Sequence, residues 1–372
     1  MDAGGGHNGD SMSGRTPALR SAADLVEAGL LPARMKADIE RVAQTYAIGL
    51  TPTVAGLIDA ADPHDPIARQ FVPDTAELVV SPEERADPIG DAAFSPVEGV
   101  VHRYPDRALL KLLHICPVYC RFCFRRATVG PGSPTYLAPK ALDAAVAYIA
   151  AHSEIWEVIL TGGDPLTLSP RRLEDIMARL KPIGHVKIIR LHTRVPALDP
   201  AAITDQHIAI LRDAGKTVYV ALHANHPREL TAEARAACAR FIDAGIPMLS
   251  QSVLLAGVND DIETLIALMR AFVEARIKPY YLHQLDLAPG TAHFRTPIAH
   301  GRDLMRQLRG RVSGLCQPAY MLDLPGGHGK SPIGPNYVTK TGEADSYRIS
   351  DYHGDSHLYP PRGQSSASPR RP

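Results

Sequence analysis

The chain is short of the features that would place it quickly. Its 372 residues include five cysteines and one tryptophan. Five is an odd and low cysteine count for so long a chain, and no secretory leader is legible at the N-terminus, so a disulfide-stapled fold is not expected. Net charge is missing too, with Lys+Arg and Asp+Glu both at 40. That balance offers no general basic surface to nucleic acid or to an acidic membrane. No run of eighteen apolar residues occurs, so no membrane-spanning helix is predicted. A reduced, cytoplasmic setting is expected, and a hydrophobic content of 45% allows a sizeable core.

What is present divides into four stretches. Residues 1–18 are rich in Gly, Ser, Asn and Asp and read as a disordered tail. Residues 19–100 read as an N-terminal wrap. Helices are predicted there over Ala22–Ala28, Ala37–Tyr46 and Thr53–Ala61, followed by a Pro- and acid-rich irregular part from Asp62 to Val100. Residues 101–340 form the main unit. Residues 341–372 are an extension whose end, Gln364–Pro372, is again disordered.

In the main unit, short β-branched runs alternate with longer amphipathic ones. Strands are predicted over Ala108–Ile115, Trp156–Thr161, Val186–Leu191, Thr217–Leu222, Met248–Leu254 and Pro279–Gln284. The helices between and after them are Pro139–Ala151, Pro170–Leu180, Asp205–Ala214, Ala232–Ala244, Ile262–Ala275 and Arg302–Val312, with Gly215 and Gly245 where helix stops are wanted. Such alternation means a parallel sheet, so the fold class is α/β. Every predicted strand end carries unusual residues: a cysteine loop, Gly162-Gly163-Asp164-Pro165, His192-Thr193-Arg194, His223 to His226, Gln251-Ser252, and His283 to Asp286. Six in register argue for one active-site face, as at the C-terminal end of a barrel.

The cysteine loop holds Cys116, Cys120 and Cys123, spaced C-x3-C-x2-C. Three thiolates hold three irons of a cubane cluster and leave the fourth open to a ligand. A zinc site made with His114 is the alternative. Cys238 falls in a predicted helix and reads as core, and Cys316 is assigned no chemistry. A second loop, Asp323-Leu-Pro-Gly-Gly-His-Gly-Lys330, places a lysine among glycines after a barrel strand. It reads as a phosphate clamp or a lysine that bonds a carbonyl; the P-loop spacing is not met.

The C-x3-C-x2-C run followed by an aromatic residue resembles radical S-adenosylmethionine (SAM) enzymes. DLPGGHGKSPIGPNY resembles the pyridoxal 5′-phosphate (PLP) lysine loop of the lysine 2,3-aminomutase family. The likeness extends over roughly residues 85–340 through HRYPDR, NHP, QSVLLAGVND, PYYLHQLDL and HFRTPIAHG. It implies a partial (β/α)6 TIM-like barrel preceded by a helical segment and ending in the PLP-lysine loop. It implies a [4Fe–4S] cluster on Cys116, Cys120 and Cys123, and PLP on the catalytic Lys330. The Gly162-Gly163-Asp164 turn and Gln251 are expected at SAM, and Arg103, Tyr104 and Arg107 at PLP. Arg125 matches the arginine for the substrate carboxylate. Asp286 and Asp323 match the aspartates for the ε-ammonium of lysine, which glutamate-specific members are expected to replace.

The activity so implied is 2,3-migration of the amino group of L-lysine to give β-lysine. A β-lysine-forming enzyme for elongation factor P, or an aminomutase for another cationic amino acid, is the alternative. A flavodoxin or ferredoxin is the expected electron donor, with no nucleic-acid or membrane partner. The longer members carry interface zinc cysteines that this chain lacks: Asp261 follows Asn259-Asp260, and the tail has no cysteine. The zinc is therefore not expected, and a homo-oligomer must be held by other contacts. His192, His223, His226 and His283 are expected to bond locally or line the SAM pocket rather than ligate a metal.

Overall fold

The N-terminal segment is built from short helices, three of four with a side-chain N-cap, that pack on a curved sheet. The computed structural model describes residues 17–360 apart from positions 131, 133, 343 and 344. The tails expected to be disordered lie outside the described residues, except for Pro17 and Ala18. Helix α1 (Ala22–Glu27) opens on a reciprocal cap between Ser21 and Asp24. Helix α2 (Lys36–Ala43) and α3 (Pro52–Leu57, capped by Thr51) follow. Helix α4 (Pro66–Phe71) lies in the stretch expected to be irregular. Asp65 accepts from the backbone of Ile67 and Ala68, and Pro66 presets the first helical φ, so six residues make a turn that buries Ile67 and Phe71.

The main sheet has nine strands in sequence order. Strands β1 (Val100–Tyr104) and β2 (Arg107–Leu113) form an antiparallel hairpin. Strands β3 (Glu157–Gly162), β4 (Ile188–Thr193), β5 (Thr217–His223), β6 (Met248–Leu254), β7 (Lys278–Gln284) and β8 (Ala319–Leu324) then add in parallel, each beside the last. Strand β9 (Gly329–Pro332) turns back on β8. The crossovers use α5 (Pro139–Ala151), α6 (Pro170–Leu180), the four-residue α7 (Val195–Leu198) with α8 (Asp205–Arg212), α9 (Ala232–Asp243), α10 (Ile262–Glu274) and α11 (Ile298–Arg311). Residues from β1 through β8 face one cavity, so the sheet curls around it as a barrel does.

The six expected strand–helix units are β2 to α11, with ends unchanged or shifted by at most four residues. The sheet continues past them into a seventh parallel strand, β8. A small antiparallel sheet, β10 (Val338–Lys340), β11 (Tyr347–Ser350) and β12 (Ser356–Tyr359), follows. One hydrophobic cluster joins Leu25, Ile39 and Phe71 of the N-terminal helices to the strands and to Leu173, Ile176, Met177 and Leu180 on the inner face of α6. Among the described residues, no helix is long and apolar enough to cross a membrane.

Candidate active site

The curled sheet encloses a cavity of about 500 Å³. Its wall includes every residue singled out for cofactor or substrate: Cys116, Cys120, Cys123, Gly162, Gly163, Asp164, Gln251, Arg103, Tyr104, Arg107, Arg125, Asp286, Asp323 and Lys330. Cys238 and Cys316 are buried elsewhere.

The cysteine loop leaves β2 and is tied down by the N-terminal wrap. Arg121, almost wholly buried, donates to both Glu77 oxygens at 2.9 and 2.5 Å and to the Ala47 carbonyl at 2.6 Å. Arg126 also donates to Glu77 and stacks 3.5 Å over the Tyr46 ring. Burial alone would raise the Glu77 pKa, but Arg121 and then Arg126 outweigh it and hold Glu77 ionised. Burial pushes the Cys123 thiol up to about 11, with Cys120 adding to it. Burial and then Asp164 drive Cys116 well above its ordinary value. Cys120 is raised by burial and eased by Arg194, whose guanidinium donates to its sulfur at 3.1 Å.

Thiols so placed become thiolates when a cationic metal centre takes them. A zinc ion would need its ligands drawn to one point. Among the described residues, no three His, Cys, Asp or Glu side chains converge in that way. A cubane distributes its cysteines over separate irons, and the donor set of three thiols on one loop beside an open cavity fits it.

The glycine turn packs closely on the chain itself: a Cβ on Gly163 would lie 2.0 Å from the Ile115 carbonyl oxygen. Gly163 N donates to Leu113 O at 2.5 Å and Asp164 N to Ile115 O at 3.0 Å. The turn is thus clamped to the residue before Cys116, which fixes the cysteine loop relative to β3. The Asp164 carboxylate is also engaged, accepting from Thr193 Oγ1 at 2.7 Å and from the backbone of Leu166, Arg194 and Val195.

Opposite charges gather at two places on the wall. Asp323 and Lys330 face each other across the β8–β9 hairpin, and Lys330 Nζ donates to Asp323 Oδ2. His283 Nδ1 stands 3.4 Å from the same oxygen. Burial raises the Asp323 pKa, but the His283 hydrogen bond and Lys330 together take it well below the ordinary carboxylate range. Asp286 behaves oppositely: burial and then the Asp323 charge push it up to about 7. Oδ1 of each aspartate is buried without a protein partner, so both acceptors are available to a ligand.

The second place is cationic. Arg103 and Tyr104 end β1, Arg107 opens β2, and the Arg107 guanidinium lies 3.8 Å over the Tyr104 ring. Tyr104 OH accepts from Lys330 N at 2.6 Å, which ties this group to the lysine hairpin. Arg103 and Arg125 both donate to Asp91. An exposed tyrosine hydroxyl, arginine forks and a lysine on one wall suit a phosphorylated aldehyde.

The four histidines separate. His192 and His223 face the cavity with ring centroids 5.3 Å apart and each Nε2 without a partner. Burial and then Arg194 lower His223 to about 3, while burial and then Arg190 take His192 well below its usual value, so both are neutral. His226 caps a turn locally, accepting from Arg228 N at 3.3 Å. Sequence reasoning missed the Glu157–Arg190 pair (2.9 and 3.2 Å) and the stacked Tyr280 and Tyr281 on the same cavity, and Asp91 behind its wall on Arg103 and Arg125. An arginine inside the apolar run Ile188–Thr193 was the signal available for Arg190.

The radical SAM superfamily model matches residues 110–269, from β2 into α10. An L-lysine 2,3-aminomutase of Acetoanaerobium sticklandii is 42% identical over 300 residues, covering 81% of this chain and 72% of its own length. One from Clostridium subterminale is 40% identical over 306 residues, covering 82% and 73%. A glutamate 2,3-aminomutase of Clostridioides difficile is 36% identical over 312 residues, covering 84% and 73%. With its cysteine loop, lysine hairpin and paired aspartates on one cavity, the chain belongs to the lysine 2,3-aminomutase family of radical SAM proteins.

Proposed function

We propose that this protein moves the α-amino group of L-lysine to C3, giving β-lysine. Cys116, Cys120 and Cys123 would hold the [4Fe–4S] cluster, the Gly162–Asp164 turn and Gln251 would meet SAM, and Lys330 would carry PLP with Arg103, Tyr104 and Arg107 about its phosphate. Together these cofactors supply one-electron hydrogen abstraction at C3 and a carrier for the migrating nitrogen. The protein supplies orientation and exclusion of water. Arg125 offers a planar fork to the α-carboxylate. Asp286 and Asp323 hold the ε-ammonium and so fix how far C3 stands from the reacting groups.

The observation that carries the choice of lysine is Asp286. Two carboxylates, each with a buried oxygen, share one wall, and one of them is raised to about 7 by burial and by the other's charge. A bound ammonium relieves that repulsion, whereas the side-chain carboxylate of glutamate would add to it. The retained Asp323 and the names of the relatives favour free L-lysine over a form dedicated to elongation factor P. The test is anaerobic turnover of lysine, glutamate and arginine by enzyme reconstituted with iron, sulfide, PLP and SAM. Lysine is expected to be turned over at least ~100-fold faster than glutamate, the effect of meeting or opposing a buried charge; comparable rates would remove lysine as the substrate.

The remaining assignments are proposals of the same reading. Residues 101–340 are the catalytic unit, 19–100 its wrap and 341–372 an extension. The protein is cytoplasmic, draws electrons from a ferredoxin or flavodoxin, and forms any oligomer without the zinc cysteines of longer relatives.

A further inference from the structure

Asp91 lies on the N-terminal wrap, outside every motif that marks the family, yet it is buried against the cavity wall. Its two oxygens serve two different arginines. Oδ1 accepts from Arg103 at 3.0 Å and Oδ2 from Arg125 at 2.7 Å. We infer that Asp91 is a positioning residue that locks the cofactor-phosphate arginine, Arg103, to the substrate-carboxylate arginine, Arg125, so that the two anions are bound as one coupled unit. The inference rests on the functional reading above and deepens it.

Two guanidiniums on one wall, with Lys111 also close enough to feel Arg125, push one another apart. A carboxylate giving one oxygen to each holds them together; Arg103 Nη2 also donates to the Ile89 carbonyl at 2.8 Å, and the remaining N–H donors are left for ligands. Arg103 Nε is buried with no protein partner, an unused donor beside this bridge.

Asp91 is itself held rigidly. Its backbone N–H donates to Asp87 Oδ1 at 2.8 Å, and its carbonyl accepts from Ser95 Oγ at 2.8 Å. The neighbouring Gly90, at φ +69°, has room for no Cβ: one would stand 2.4 Å from Gly327 N in the lysine loop. The bridge is therefore referenced, backbone to backbone, to the loop that carries Lys330. A shift of Asp91 would disturb both anion sites together and leave the cysteine loop, which is anchored by Glu77, in place.

The test uses the full-length, anaerobically reconstituted enzyme and four readouts: PLP affinity by cofactor absorbance, lysine KM and kcat, iron content, and thermal unfolding. For Asp91→Asn, PLP Kd and lysine KM are each expected to rise about tenfold or more, the effect of losing a charge-assisted hydrogen bond. Iron content is expected at the parent level, with kcat changed less than KM. Asp91→Glu keeps the charge and is expected to restore both affinities to within about threefold of the parent's. A merely structural role would lower the melting temperature and leave PLP Kd and KM at parent values, and that result overturns the inference. So does a rise in one constant without the other. If Asp91→Asn does not fold, folded Asp91→Glu decides: both affinities near the parent's support the bridge, and both lost overturns it. A parent that binds no PLP or turns over no lysine brings down the functional reading itself. An active parent with an indifferent Asp91→Asn brings down this inference alone.

Discussion

Asp286→Asn should make the cofactor-free protein more stable and the enzyme worse. In the parent, burial and the Asp323 charge raise the Asp286 carboxyl to about 7, against an ordinary value of 3.8. A group whose folded pKa is raised is destabilising wherever it must be charged, so the sign is opposite to that of a salt-bridged aspartate. Below the unfolded pKa both states are protonated and nothing is lost. The cost builds as pH rises through 4 to 7 and is complete above 7. At ~1.36 kcal/mol per unit it reaches about 1.5 kcal/mol at pH 5 and about 4 kcal/mol at pH 8, upper bounds because cavity water screens part of the charge. The asparagine has the same shape and no such cost. The difference in melting temperature between variant and parent should therefore be small at pH 5 and grow to a few degrees at pH 8. Over the same change kcat/KM for lysine should fall by ~100-fold, because the ammonium loses a buried counter-charge. Scanning calorimetry of the cofactor-free proteins and anaerobic turnover of the reconstituted ones measure the two effects. A stability gap that does not widen with pH, or a variant as fast as the parent, refutes the reasoning.

Other expectations concern the rest of the site. Cys120→Ser should lose iron and turnover together, measured by iron analysis, while Cys238→Ser should keep both. Borohydride reduction with PLP present should label a peptide containing Lys330, and Lys330→Ala should leave no covalent label. Glu77→Gln strands Arg121 and Arg126 without a carboxylate and should lower stability to unfolding by ~3–5 kcal/mol. Its partner-lowered pKa stabilises above the unfolded carboxylate pKa, and that contribution is lost as pH falls through the folded value, so the gap between Glu77→Gln and parent should narrow in acid.

Local pattern carried much of this architecture. β2 to β7 and the helices between them are legible because apolar periodicity of 2 and 3.6 residues is a local property. The helix stops at Gly215 and Gly245 are seen at φ +70° and +81°. The elements missed had weak or misread local signals. α4 hid in a Pro-rich stretch, although Asp65-Pro66 is itself a helix start. β8, the six residues AYMLDL, was not counted among the six strands, although the glycine-rich lysine loop reads as following a barrel strand. α11 starts at Ile298 rather than Arg302, because Pro297 sets its first turn. The site residues came from motifs whose chemistry lies close together in sequence. Glu77 and Asp91 were out of reach for the opposite reason. Glu77 is 44 residues from Arg121 and Asp91 is 34 from Arg125, and no local pattern pairs a carboxylate with a particular distant arginine.

The central claim is that this cavity moves one nitrogen of lysine from C2 to C3 without releasing it. Lysine labelled with ¹⁵N only at the α-amino group, turned over anaerobically by the reconstituted enzyme in excess unlabelled ammonium, tests it directly by NMR or mass spectrometry of the product. β-Lysine with the label retained at the C3 nitrogen is the predicted result. Product whose label has exchanged with ammonium, or no β-amino product from an enzyme loaded with iron, SAM and PLP, would contradict it.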